Sequence, residues 1–137
     1  MEFRYEFVPE GPFDVVVTAT GEATRDGIIE VDEAISADPR YRAGMSILYD
    51  QTNLDVSALT AADVRAIAEH DRSDARNETR WAGAAVIVAP DKMNFGVARM
   101  WQSYFSDDED LASRTVVVET VEAAHRWLAE RNGQASS

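Results

Sequence analysis

The sequence predicts a single α/β domain with a mixed five-stranded sheet that opens with an antiparallel hairpin and carries about four helices. Three observations support this prediction. Two strand-like segments joined by a turn begin the chain, three further strand-like segments each follow a helical one, and 137 residues is the length of one domain. We place the domain at residues 1–132 and expect residues 133–137 to form a flexible C-terminal tail.

The chain begins with the predicted hairpin. The segment EFRYEF alternates aromatic residues with charged ones, so that Phe3, Tyr5 and Phe7 share one face. This two-residue period is typical of a strand buried on one side. The turn segment PEGP and the β-branched run FDVVVTATG follow. We therefore expect a second strand that pairs antiparallel with the first.

Helical spacing begins at Thr24, after which apolar residues recur every three or four positions until ADPR ends the helix. The short apolar segment GMSILYD predicts the third strand. In LTAADV, Thr60 can cap a second helix, and Asp63 can complete a capping box by bonding back to Thr60. Leu59 can pack on Val64 across the cap. The polar residues 71–80 are either an extension of this helix or a loop.

The second half of the chain continues the alternation of helices and strands. WAGAAVIVAP is apolar throughout, which is typical of a central strand buried on both faces. The remaining predicted elements are a helix in NFGVARMWQSYF, an acidic loop in SDDED, a fifth strand in RTVVVET, and a last helix that begins at Thr120 and ends at Gly133.

Composition excludes several classes of function. The chain has no cysteine, which removes disulfides, thiolate nucleophiles and cysteine-based metal sites. Its 25 acidic and 13 basic residues give a net charge of −12, the wrong sign for a phosphate backbone, so we expect no nucleic-acid partner. No apolar run is long enough to span a bilayer, and the N-terminus lacks a secretory pattern. We expect no membrane insertion and a cytoplasmic location.

Several segments, in order, resemble the SpoIIAA-like branch of the STAS superfamily. They are VVVTATGEAT, ADPRYRAGMSILYD, LTAADVRAI, AVIVAPDKMNFGVARM and TVEAAHRWL, of which FGVARM and AAHRWL are the more specific. The branch consists of small bacterial domains related in fold to anti-sigma-factor antagonists and more distantly to CRAL-TRIO lipid-transfer domains. The resemblance covers about residues 14–128. It implies a STAS fold and a domain that acts by binding, with no known reaction.

The resemblance also raises the question of a phosphorylation switch. In the anti-sigma-factor antagonists, a serine at the start of the helix after the third strand is phosphorylated within a pattern like D-S-S-G. The corresponding segment DVSALTAADV lacks that pattern, and Thr60 is the residue nearest the position. We favour the structural interpretation, in which Thr60 caps the helix.

Catalytic and metal sites find little support in the sequence. Asp50 at the predicted end of the third strand stands where open α/β sheets bind ligands, but Thr52 replaces the second aspartate of an aspartyl phosphatase. We favour Asp50 as an acceptor for loop N–H groups. The glycines form no nucleotide-binding or hydrolase motif. We therefore assign no catalytic residue and no cofactor. A pair of carboxylates that acts in acid–base chemistry stays an alternative.

Metal ligands are also scarce. His70 falls on the polar side of its helix, where we expect it to be solvent exposed, and His125 is expected to pack at the margin of the core. SDDED lacks the spacing and the turn glycine of a calcium loop. We therefore predict no metal site.

The helix in NFGVARMWQSYF carries more apolar bulk than one helix face needs. Together with Met93 just before it, its apolar residues other than Phe95 span an arc of about 160°, where a core-facing stripe needs only somewhat more than about 100°. Phe95 lies beyond this arc. We favour core for most of them, with Gly96 allowing close packing while Trp101 or Phe95 faces outward as a surplus. The candidate surface for a partner or an apolar ligand is Met93, Phe95, Met100, Trp101, Tyr104 and Phe105.

Three hypotheses of function follow. The first is a non-enzymatic STAS-like module that acts through protein contacts, above all by forming a homodimer. The second is a binder of a small apolar ligand or lipid, for which the aromatic and methionine side chains would line a cavity. The third, which the sequence favours least, is an enzyme that uses Asp50 and neighbouring carboxylates.

Overall fold

Five strands form one mixed sheet in the order β1-β2-β3-β4-β5 in the computed structural model, which describes residues 1–76 and 83–135. Strand β1 pairs antiparallel with β2, and all other neighbours are parallel. The strands are β1 Glu2–Phe7, β2 Val15–Glu22, β3 Ile47–Asp55, β4 Ala85–Val88 and β5 Thr115–Val118. The predicted α/β class, the mixed sheet and its opening hairpin are confirmed.

Five helices are described, and each parallel connection between neighbouring strands contains at least one of them. They are α1 Arg25–Ala37, α2 Ala61–Arg76, α3 Lys92–Ser103, α4 Glu109–Arg114 and α5 Val121–Ala135. The sequence predicts only about four helices, because the acidic segment SDDED is typical of a loop. In the structure Asp108 accepts a hydrogen bond from the Leu111 N–H and begins α4, which Glu109 and Asp110 continue.

The two faces of the sheet bury different helices. Val15 and Val17 of β2 pack with Val31 and Ile35 of α1, and the same face of β4 packs with α2 and α3. The alternate residues, such as Leu48 and Val86, pack with Ala124 and Leu128 of α5. Helices α1, α2 and α3 therefore cover one face, and α5 covers the other. All four residues of β4 are buried, as its continuous apolar sequence predicts.

Side-chain caps fix the helix starts that the sequence predicts. The Thr60 hydroxyl accepts from the Asp63 N–H at 3.1 Å, and Asp63 Oδ2 accepts from the Thr60 N–H at 3.0 Å. This reciprocal pair is the predicted capping box. Thr24 caps α1 through the Gly27 N–H, and Thr120 caps α5 through the Ala123 N–H.

Two predicted boundaries are wrong. Strand β3 does not end at Asp50 but continues to Asp55, because Asn53, Leu54 and Asp55 still pair with β2. Helix α5 continues through Gly133 to Ala135, because a glycine lowers helix stability without ending a helix by itself. The predicted flexible tail at 133–137 is therefore helical in its first three residues, and residues 136–137 lie outside the described part.

The polar segment 71–80 continues helix α2 as far as Arg76. The sequence allows two interpretations of this segment, a helix extension or a loop. The structure shows the helix extension as far as Arg76. The rest of the segment, together with the first residues of WAGAAVIVAP, lies outside the described residues.

Candidate functional site

A cavity of about 80 Å³ lies between the sheet and the three helices that cover its first face. Strands β2, β3 and β4 form its floor, and helices α1, α2 and α3 form its walls. Most of its lining is aliphatic or aromatic, including Ile28, Val31, Leu54, Leu59, Val64, Ile67, Val97 and Trp101. Apolar lining of this kind around a few polar groups is the usual character of a small-molecule site.

Small side chains and an irregular strand leave this space open. Ala19 of β2 and Ala98 of α3 both line the cavity and are both buried, so they fill little of the gap between sheet and helix. Strand β3 has one extra residue against β2, since Thr18 pairs with Asp50 whereas Thr20 pairs with Asn53. Such a bulge bends the strand locally.

The side chain of Asn94 holds α3 against this bulge. Asn94 is buried, and its Nδ2 donates to the Leu54 carbonyl oxygen and, at 3.3 Å, to the Gln51 carbonyl oxygen. Residue Asp91 caps the same end of α3 by accepting from the N–H groups of Met93 and Asn94. The start of α3 is thus fixed to β3 beside the cavity.

Two buried carboxylates line the otherwise apolar cavity. Asp32 of α1 is 4% exposed, and its Oδ1 accepts from the Tyr49 hydroxyl at 2.8 Å. Asp71 of α2 is 2% exposed, and its Oδ2 accepts from Trp101 Nε1 at 2.9 Å. Burying a charged group is costly unless partners compensate it, so carboxylates in such a place are candidates for a binding role.

His70 lies beside one of these carboxylates. Its Nδ1 is 3.6 Å from Asp71 Oδ1, and its Nε2 is 3.6 Å from Glu33 Oε1 on α1. The prediction that His70 is solvent exposed is wrong, because the packing of α1 against α2 leaves its side chain only 25% exposed. The other histidine, His125, is exposed, and its ring centroid lies 5.8 Å from that of the buried Phe13.

The structure separates the six residues predicted as a partner or ligand surface. Trp101 is only 7% exposed and Phe105 is fully buried, and their rings meet edge to face with centroids 4.9 Å apart. Of the two residues offered as the outward-facing surplus, Trp101 does not face outward, because its indole reaches inward to Asp71. Phe95 and Tyr104 are half-buried, whereas Met93 and Met100 are 56% and 40% exposed.

Gly96 does not serve the close packing that the sequence suggests. A Cβ atom built on Gly96 would have no heavy atom within 4 Å, so its side of α3 is open. Only Trp101 of the six candidate residues lines the cavity. Phe105 instead packs in the core cluster between α2, α3 and α4.

Asp50 and Thr60, the other residues singled out by the sequence, have structural contacts. Asp50 Oδ1 accepts from the Thr52 N–H at 3.0 Å and from the Thr52 hydroxyl at 2.6 Å. It lies within the bulged part of β3 and borders the cavity, whereas the sequence places it in front of a loop. Thr60 caps α2, and the resulting hydrogen bonds hold the pKa of Asp63 below its usual range.

The acidic segment has partners of its own. Asp107 pairs with Arg72 of α2 at 2.8 Å, and Asp110 pairs with Arg114 at 2.8 Å. The hydrogen bond from Arg114 holds the pKa of Asp110 below its usual range. Within residues 1–76 and 83–135, no three histidine or acidic side chains converge in a way that could hold a metal ion.

Sequence reasoning missed Asp32, Asp71 and Asn94, and for two of them a signal was present. Asp32 lies four residues after Ile28 and three before Ile35, within the apolar stripe of α1. Asp71 extends the stripe of Val64, Ile67 and Ala68 at the same spacing. An acid at a stripe position indicates a buried carboxylate. No comparable signal marks Asn94, since its partners are carbonyl groups of a bulge.

Comparisons with known proteins add no family or relative. No protein-family model matches the chain, and no curated protein matches it significantly. Among the described helices, none combines the length and the apolar character needed to cross a membrane. The resemblance to the SpoIIAA-like branch therefore stays a prediction from the sequence.

Proposed function

We propose that this protein is a non-enzymatic binding domain whose ligand is a small apolar molecule, held in the cavity between the sheet and helices α1, α2 and α3. The observation that carries the proposal is the apolar cavity itself, which is lined by Trp101 among other apolar side chains and bordered by two buried carboxylates. The resemblance to the SpoIIAA-like branch agrees with it, because that branch acts by binding and has a distant relation to lipid-transfer domains.

The size of the cavity limits the ligand. An engineered cavity of about 150 Å³ in another protein binds benzene. A volume of about 80 Å³ is about half of that, so only a short alkyl group fits inside it. A larger ligand would have to extend out of the cavity or displace side chains.

The contacts of Asp50 support a binding role rather than an enzymatic one. Its Oδ1 already accepts two hydrogen bonds from Thr52, an arrangement that stabilises the bulge of β3. Asp50 therefore has a structural explanation without a reaction.

A saturation-transfer NMR experiment with isobutanol tests the proposal. Isobutanol methyl groups should receive saturation from the protein, and the transfer should vanish in Ala98→Leu, whose larger side chain fills the cavity. The matched control is Ala129→Leu, at an exposed position of α5 on the other face of the sheet. Equal transfer to the Ala98→Leu variant, or none to the parent protein, would contradict the proposal.

A second candidate function, association with another copy of the chain, is favoured by Met93 and Met100. These two exposed side chains are seven residues apart and so lie on one line of α3, next to the open side of Gly96. If this surface joins two copies, Met100→Glu should convert a dimer to a monomer in sedimentation velocity, and Ala112→Glu on α4 should not.

Native mass spectrometry of freshly purified protein distinguishes the two candidates. A monomer with an adduct of small-molecule mass supports the cavity as the functional site. A dimer without an adduct supports the α3 surface.

A further inference from the structure

We infer that Met1 sets the upper limit to the length of the alkyl chain that the cavity accepts. This inference rests on the proposed function and adds the residue that selects the ligand by its length. The side chain of Met1 lines the cavity together with residues of β2, β3 and the three covering helices. It lies on the side where the cavity approaches the surface of the protein.

Exposure of the lining differs from one side of the cavity to the other. The inner side is buried, as at Ile67, which is 5% exposed. Four other lining residues are half-buried and pack on the core cluster around Leu54, namely Met1, Ile28, Leu59 and Val97. A ligand that extends out of the cavity on this side therefore passes between these side chains.

Two glycines make room for Met1 at this place. A Cβ atom built on Gly27 of α1 would lie 2.6 Å from Met1 Sδ and 2.8 Å from Met1 Cγ, which is too close for two side chains to coexist. Gly21, near the end of β2, has a φ of 84°, and a Cβ atom there would lie 3.4 Å from Met1 Cα. The backbone of Met1 thus lies against Gly21, and its thioether lies against Gly27.

Met1 is the one of the four half-buried side chains that a ligand can displace most easily. Ile28 and Val97 belong to helices α1 and α3, and Leu59 directly precedes the cap of α2, so packed helices fix their backbones. Met1 precedes β1, and a methionine side chain is unbranched, apolar and flexible. Its Cγ, Sδ and Cε atoms form a chain as long as a propyl group. A ligand with that much extra length therefore competes with Met1 for the same space.

Chain length is the property that this arrangement selects. Each methylene group that becomes buried tightens binding about fourfold, whereas a methylene group that stays in water adds nothing. We therefore expect the affinity for straight-chain primary alcohols to rise with length until the chain reaches Met1, and to level off beyond that length. In Met1→Ala, which removes the atoms beyond Cβ, the levelling should occur at chains about three carbons longer.

NMR titrations with the primary alcohols from ethanol to octanol test the inference by following the indole N–H signal of Trp101 in the cavity lining. An alcohol about three carbons longer than the limit of the parent protein should bind Met1→Ala at least about tenfold more tightly than the parent. Both proteins are made behind a cleavable leader that leaves no extra residue, so that position 1 can be changed.

Two further variants locate the effect at Met1. Met1→Leu restores a side chain of similar size and should restore the length limit of the parent protein. Met93→Ala removes the same atoms from a methionine of α3 that is 56% exposed and is not among the described residues lining the cavity. This control should leave the limit unchanged.

The parent protein provides a second readout that does not depend on the stability of Met1→Ala. With carbon-13 in the methionine methyl groups, the Met1 signal can be assigned from its absence in Met1→Leu. Alcohols shorter than the limit should leave this signal in place. Longer alcohols should move it towards the position of the exposed Met93 methyl group, because they displace Met1 into solvent.

The outcomes separate this inference from the function on which it rests. The same limiting length in the parent protein and in Met1→Ala, or a Met1 methyl signal that no bound alcohol moves, would overturn the inference and leave the cavity as a binding site. If no alcohol shifts the Trp101 signal in either protein, both the inference and the proposed function are overturned.

Discussion

Trp101 donates its indole N–H to the Asp71 carboxylate at 2.9 Å, and both side chains are buried where α2 and α3 meet beside the cavity. This bond explains why a helix with surplus aromatic residues turns its tryptophan inward. It also explains how a carboxylate is tolerated at a core position, because a charge-assisted hydrogen bond offsets part of its desolvation.

Trp101→Phe should lower the free energy of unfolding by about 2 kcal/mol or more, since it leaves a buried charged acceptor without this donor. Chemical denaturation followed by circular dichroism measures the loss. The control is Trp127→Phe on α5, where the half-buried ring is not hydrogen-bonded to a buried carboxylate and the cost should be clearly smaller. If both variants lose the same free energy of unfolding, the hydrogen bond to Asp71 does not contribute to stability beyond the packing of the ring.

Thr60→Ala should lower the free energy of unfolding by about 1 kcal/mol, because it removes the side-chain cap of α2. Thr60→Ser keeps the hydroxyl and should stay close to the parent protein. If Thr60→Ala leaves stability unchanged, the capping interpretation is wrong, and the position is open to the phosphorylation role that the resemblance suggests.

Gly96→Ala should raise the free energy of unfolding by about 0.5 to 1 kcal/mol, because alanine favours the helix and its Cβ meets nothing within 4 Å. Gly83→Ala should instead destabilise the protein. Its Cβ would lie 2.6 Å from the Gly44 carbonyl oxygen, and backbone atoms cannot move aside cheaply. Thermal denaturation of the two variants should give shifts of opposite sign, and a loss of stability in Gly96→Ala would indicate that this side of α3 is covered.

Acid should weaken the contact between β1 and the end of α1. The hydrogen bond from Arg40 holds the pKa of Asp38 well below its usual range, and Tyr5 adds a further bond. A carboxyl group with a lowered pKa in the folded state stabilises the protein above its ordinary pKa of about 4, and this contribution is lost as pH falls towards the lowered pKa.

Asp38→Asn measures this contribution. The variant should be less stable than the parent protein at neutral pH, and the difference should shrink as the pH falls below about 4. Denaturation curves of both proteins at several pH values provide the comparison. A difference that is constant across this range would show that the charge of Asp38 is not responsible.

The fold could be predicted from the sequence because its signals are local. The alternation around Tyr5, the cap at Thr60 and the uniformly apolar β4 each depend on a few neighbouring residues. The length of β3 could not be predicted, because four of the residues 51–55 are polar and the strand pairing of this segment depends on β2. The start of α4 was missed because a run of acids resembles a loop until one of them caps a helix.

The site was less predictable than the fold. The apolar surplus of α3 correctly draws attention to Trp101, but the direction of its side chain depends on Asp71, thirty residues earlier. The cavity arises from the bulge of β3 and from Ala98 facing the sheet, and neither has a sequence pattern of its own. Asp32 and Asp71 could have been found, since each interrupts an apolar helical stripe.

A crystal structure determined under xenon pressure tests the central claim most directly, because dry apolar cavities of proteins take up xenon. The account predicts a xenon atom between Ile67, Val97 and Trp101, and none at this place in Ala98→Leu. A space filled by side chains, or occupied only by ordered water bonded to Asp32 and Asp71, would contradict an apolar binding site in this domain.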